Sequence, residues 1–130
     1  MRLWPLAILD QLPRQQLLGQ HRECCALRGK GWGRKHATVD YVFKHPIYYL
    51  YRYHLKVMEE MDRRGYHVEK NWLCSIYRGK TIGFDYSGEL GDDFLPVPVC
   101  AFCIYPEHTL SYIQECISNL ARKGIAIEQR

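Results

Sequence analysis

The sequence predicts an all-α protein: a single compact domain of about three helices with a long irregular segment between the second and third. Three observations lead there. Three segments carry apolar residues at three- and four-residue steps, each is followed by a glycine suited to a left-handed cap, and the stretch between the second and third sustains neither helical nor strand periodicity. With 130 residues, the chain is one domain long and buries roughly two thirds of its unfolded surface.

The first helix is expected over about 13–28. Pro13 suits a first helical position, Leu17, Leu18, His21, Cys24, Cys25 and Arg28 recur at helical steps, and Gly29, Gly31 and Gly33 end the pattern. The second is expected over about 47–64, opening after Pro46, with Leu50, His54, Val57, Met58 and Met61 on one stripe. Glu59/Arg63 and Glu60/Arg64 are spaced to pair across a turn, and Gly65 follows as a cap. The third is expected over about 107–123, with Leu110, Ile113, Ile117 and Leu120 apolar, a basic last turn and Gly124 beyond it. About forty residues dense in Gly, Pro, Asp and Tyr separate the second and third helices. No linker or repeat divides the chain, so residues 1–130 are read as one domain.

Composition narrows the function. Hydrophobic residues at 47% and charged residues at 25% exclude disorder and low complexity. The longest apolar run, Phe94 to Ile104, contains two prolines and falls well short of the roughly 18 residues of a membrane span. The opening Met-Arg-Leu-Trp-Pro lacks a signal-peptide core and cleavage site, so a cytoplasmic protein starting at Met1 is expected. Net charge is +4, and its excess lies in the first third: up to Lys44 there are eight Lys/Arg against three acids. Such a basic field attracts polyanions. Six cysteines in that setting read as reduced thiols. Cys100 and Cys103 form one CxxC that, with Cys74 or Cys116, has zinc-ligand spacing, but packing is the reading adopted; no metal and no cofactor are expected.

The most informative chemistry lies on the first helix. Glu23 has Gly19 four residues before and Ala26 three after, so one face presents a carboxylate between two small residues. An interior glycine costs a helix about 1 kcal/mol relative to alanine, a cost that close approach by backbone or ligand offsets. His21, Arg22, Arg28, Arg34, Lys35 and His36 surround that carboxylate with groups suited to phosphate contact, and Arg2, Arg14 and Lys44 extend the basic surface. A lone acid in a basic field is a catalytic pattern.

Leu-Pro-Arg-Gln-Gln-Leu-Leu-Gly-Gln-His-Arg-Glu (12–23), followed by Arg34-Lys35-His36 and Phe43-Lys44, resembles the phage-type pyrimidine-dimer DNA glycosylase and AP lyase, the endonuclease V family. The Arg-Glu pair falls at that family's distance from the amino end, and the likeness continues through Tyr41 to Tyr66. The resemblance implies a small helical repair enzyme without cofactor, acting as a monomer on double-stranded DNA that contains damaged bases. It implies catalysis by an α-amino group, here that of Met1, which attacks the sugar C1′ of a flipped-out lesion and forms an imine. Glu23 would be the central carboxylate, and Arg22 would bind the phosphodiester or the complementary strand. Two positions depart from the family pattern: Arg2 follows Met1 where the family has a trimmed initiator and threonine, and Ala26 replaces a DNA-binding arginine, with Arg28 nearby.

Two other readings compete. His21-Arg22-Glu23 reads as HxE and Pro98 to Cys103 almost as PCxxC, the halves of a zinc nucleobase deaminase signature, but Val99 is inserted and the halves are far apart. A non-catalytic nucleic-acid-binding helical domain would instead stack unpaired bases on Trp32, Tyr48, Tyr49, Tyr51 and Tyr53.

Overall fold

In a computed structural model, residues 2–33, 40–86 and 104–128 are described. They form three α-helices, α1 (Arg14–Arg28), α2 (Ile47–Arg63) and α3 (Leu110–Arg122), with short 3-10 turns at Leu6–Gln11, Asp40–Lys44 and Lys70–Leu73. Among the described residues there is no strand, only an isolated antiparallel bridge between Tyr77 and Phe84. The all-α expectation holds.

Local chemistry sets each boundary. Pro13 precedes α1 as its N-cap residue, and Gly29 closes it by donating to the carbonyls of Cys25 (3.0 Å) and Ala26 (3.2 Å). Gly31 then folds back on Ala26 so tightly that a Cβ there would lie 2.7 Å from the Ala26 oxygen. After α2, Gly65 takes a left-handed φ of 81° and Tyr66 N–H bonds the Met61 carbonyl at 2.9 Å, closing the helix end. The third helix starts three residues later than expected, because Thr109 caps it, its hydroxyl accepting from Tyr112 N–H at 3.2 Å. Leu110, placed on the apolar stripe by its spacing, is 72% exposed; the buried line runs through Cys116 and Leu120, about a quarter turn away.

The second helix shows one further shift. Glu60, not Glu59, receives Arg63 as well as Arg64 (2.6 Å to the latter), while Glu59 lies 3.7 Å from Lys56. Arg64 also donates to the carbonyls of Leu9, Asp10 and Leu12, clamping the amino-terminal turn to the end of α2.

The core is built around the amino-terminal segment. Leu3, Trp4, Ile8, Leu9 and Leu12 are buried against Leu17, Cys24 and Leu27 of α1, Leu50, Tyr53, Val57 and Met61 of α2, and Cys116 and Leu120 of α3. Burying such side chains contributes about 1.5–3 kcal/mol each. This packing carries the start of the described chain into the middle of the three helices.

Candidate active site

Two flanks of α1 carry polar chemistry, and they face different ways. At 100° per residue, Gly19 and Glu23 lie on one flank beside Gln20, while His21 and Cys25 lie on the other. On the first flank, the amino-terminal segment runs against the helix. Trp4 N–H donates to Gln20 Oε1 at 2.6 Å, and Tyr53 Oη donates to the same oxygen at 3.0 Å and to the Trp4 carbonyl. Tyr112 of α3 donates to the Leu3 carbonyl at 3.0 Å. Residues from all three helices therefore fix the backbone of residues 3 and 4.

Beside this anchor opens a cleft of ≈ 420 Å³ between the amino-terminal segment, α1 and the end of α3, lined by Arg2, Gln16, Gly19, Arg22, Asn119 and Lys123 among others. Arg2 is held by Glu115 (3.6 Å) and Cys116 Sγ (3.7 Å), with its guanidinium 5.8 Å from the Trp4 ring centroid. Lys123 Nζ stands 5.8 Å from the same ring. Gly19 leaves the cleft open: a Cβ there would meet only Arg22 Nη2, at 3.8 Å. Glu23 is half-buried next to this wall and Arg22 is exposed. A cationic rim over an uncharged, open floor suits a phosphate backbone with one nucleotide turned inward.

Sequence reasoning paired Arg22 with Glu23 and marked Arg2, and the structure brings Arg2 and Arg22 to one cleft. Arg14 is exposed, its guanidinium 5.2 Å from the Tyr66 ring, and Lys44 is exposed at the end of its 3-10 turn. Met1, Arg34, Lys35 and His36 lie outside the described residues, as do Cys100 and Cys103. Lys123, Asn119 and Gln16 were missed; the basic last turn of α3 was the available signal for Lys123, but nothing local says which surface it meets.

Arg28 requires correction. It is not a surface contact for DNA: its relative exposure is 0%. Its guanidinium donates to the carbonyls of Trp72 (2.9 Å), Cys74 (2.9 Å) and Tyr77 (3.5 Å) and lies 2.8 Å from His54 Nδ1. Burial and the nearby Arg78 pull its pKa down to about 10, which leaves it charged at neutral pH. His21 is likewise turned from the cleft toward α2, its Nδ1 2.8 Å from His54 Nε2; burial and the neighbouring Arg22 and Arg28 lower its pKa.

The competing motifs fare differently. His21 and Glu23 sit on separate flanks of α1, which is unlike the shared site of an HxE zinc centre. Tyr53 is buried, Tyr49 stacks on His45 at 5.0 Å and Tyr51 donates to the Leu73 carbonyl, so these rings pack their neighbours instead of forming an open platform.

Comparison with known proteins agrees with the geometry. The family model described as pyrimidine dimer DNA glycosylase matches residues 1–73, which contain the amino-terminal segment, α1, α2 and the Lys70–Leu73 turn. No curated protein and no solved structure matches. The match spans more than half of the chain, and on that ground the chain belongs to the pyrimidine dimer DNA glycosylase family.

Proposed function

We propose that this chain is a DNA glycosylase and AP lyase for pyrimidine dimers or related base lesions in double-stranded DNA, with the α-amine of Met1 as nucleophile and Glu23 as the working carboxylate. The observation that carries this reading is the bond from Trp4 N–H to Gln20 Oε1, one helical turn from Glu23. Three residues of extended chain can span about 10 Å, and positions three apart on a helix are about 5–6 Å apart, so chain length is compatible with a reading in which the α-amine works beside Glu23.

The chemistry suits these groups. An α-amine has a reference pKa of about 7.7–8.0, so a useful fraction is neutral and nucleophilic at physiological pH. Its lone pair attacks C1′ as the glycosidic bond breaks and the base leaves with the bonding electrons; the Glu23 carboxylate stabilises the positive charge that develops on the sugar. Loss of a proton from nitrogen and opening of the ring give an imine. Glu23 then accepts the C2′ proton, the electrons move toward the imine, and the 3′ phosphate leaves. Hydrolysis of the imine returns the amine. Arg2, Arg22 and Lys123 hold the flanking phosphates.

Borohydride added during reaction with dimer-containing or abasic duplex is expected to trap one covalent adduct, mapped by mass spectrometry to a peptide beginning at Met1. Glu23→Gln should fold, bind the duplex, and lose strand cleavage by at least a hundredfold. Full nicking by that variant, or an adduct mapped to an internal lysine, refutes the assignment.

A further inference from the structure

A carboxamide buried on a helix flank costs free energy unless its polar atoms are used, and Gln20 is only 2% exposed. Its Oε1 is spent on the amino-terminal segment: it accepts from Trp4 N–H at 2.6 Å and lies 3.0 Å from Tyr53 Oη, which also reaches the Trp4 carbonyl. Both backbone polar groups of Trp4 are therefore held by side chains, one from α1 and one from α2. A leucine at position 20 would keep apolar contacts on this flank but leave the Trp4 N–H buried without its acceptor.

Little else directs the backbone here. Residues 2–4 belong to no helix or strand, and the first turn of the described chain begins with the bond from Ile8 N–H to the Pro5 carbonyl. The side chains of Leu3 and Trp4 are buried, but apolar packing is non-directional, so direction comes from the hydrogen bonds. Among the described hydrogen bonds of residues 2–4, those of Arg2 and Leu3 run to α3 and the Trp4 carbonyl is held from α2; the bond to Gln20 alone runs to the helix that carries Glu23.

We propose that Gln20 is a positioning residue for imine formation: its Oε1 registers the amino-terminal segment, and with it the α-amine, against the Glu23 carboxylate one turn along the same helix. The inference rests on the glycosylase and lyase reading above and deepens it. Gln20 takes no part in any bond that forms or breaks; the amine attacks C1′, the base leaves with the bonding electrons, and Glu23 accepts the C2′ proton, as before. A misplacement of about 1 Å costs a reaction about a hundredfold, and a segment outside any helix or strand is free to shift when its one directional tie to α1 is lost. Three roles are distinguishable. A purely structural Gln20 would affect stability and leave the chemistry of the bound complex unchanged. A substrate contact would act on duplex affinity. Positioning acts on the rate at saturating duplex.

The test uses the full chain and an abasic duplex in single-turnover reactions, with imine formation followed by borohydride trapping of timed samples and affinity by fluorescence anisotropy. Gln20→Met, of similar volume but without the acceptor, is expected to slow trapping at saturating duplex at least tenfold, with duplex Kd changed less than threefold and an intact far-ultraviolet circular dichroism spectrum. Gln20→Glu keeps an oxygen for Trp4 N–H and should recover most of that rate. Trapping by Gln20→Met at the unmodified rate, or a loss confined to affinity, overturns the inference and leaves the glycosylase reading standing. Absence of any Met1 adduct in the unmodified chain refutes the reading itself, and this inference with it. Where Gln20→Met does not fold, Tyr53→Phe, which removes the other arm holding Trp4, is measured in the same way; undiminished trapping by it overturns the inference, as does a Trp4 amide in the unmodified chain that exchanges with solvent as fast as in an unstructured peptide.

Discussion

Two arginines in the second half of α1, Arg22 and Arg28, show how much a residue's surroundings outweigh its type. Arg22 reaches solvent at the cleft, whereas Arg28 spends its donors on three carbonyls and an imidazole, with its guanidinium 5.0 Å from the Trp72 ring and 5.2 Å from that of Tyr51. A buried cation held this way ties the segment after α2 to α1, since its acceptors lie on residues 72–77. Arg28→Met fills much of the same volume but leaves buried carbonyls without donors. Hydrogen bonds to charged groups are worth about 1.5–3 kcal/mol each and a buried unsatisfied group costs about 1–3 kcal/mol, so a loss of about 3–5 kcal/mol is expected in urea unfolding. A loss below about 1 kcal/mol would mean that the guanidinium is not the tie.

The helices themselves were legible because punctuation marks them: Pro13 and Pro46 open α1 and α2, and Gly29, Gly65 and Gly124 follow the three ends. The start of α3 was less so, since Glu107 looks like a first-turn acid until Thr109 is recognised as the cap, and Leu110, at helical spacing from Ile113 and Ile117, faces solvent all the same. The contacts of Arg28 could not be read at all, because they reach 26 to 49 residues along the chain and a local charge pattern counts every arginine as surface. Gly19 falls between these cases. Its smallness was visible in the sequence, and the structure shows that no packing demands it: an added methyl would meet Arg22 Nη2 at ordinary contact distance. Gly19→Ala should therefore raise stability by about 1 kcal/mol, the helix-propensity difference, visible as a higher denaturant midpoint. Gly19→Leu, projecting into the cleft, should keep the fold and slow lesion cleavage at least tenfold; undiminished cleavage would show that substrate does not approach this wall.

At the scale of the molecule, the candidate site depends on closure of the whole fold, because residues 3 and 4 are fixed by Gln20 of α1, Tyr53 of α2 and Tyr112 of α3 together. Tyr112 in turn stacks on His108 at 5.0 Å, and His108 Nε2 lies 2.6 Å from Tyr41 Oη. This aromatic nest is sensitive to acid. Burial drives the His108 pKa from 6.5 down to about 4, with Glu107 opposing the shift, so the folded protein holds the ring neutral where the unfolded chain protonates it. Because the folded value is the lower one, its contribution is complete above about pH 6.5 and declines as pH falls toward 4. The full separation is worth up to about 3 kcal/mol. His54, held well below its ordinary value by burial, Arg28 and His21, acts with the same sign. Unfolding free energy measured in urea between pH 7 and pH 4 should therefore fall steadily, and His108→Gln, which keeps an acceptor for Tyr41 without a titrating ring, should flatten the His108 share of that slope. An unchanged slope in His108→Gln would remove His108 as a source of the acid sensitivity and leave it with His54 and the carboxylates.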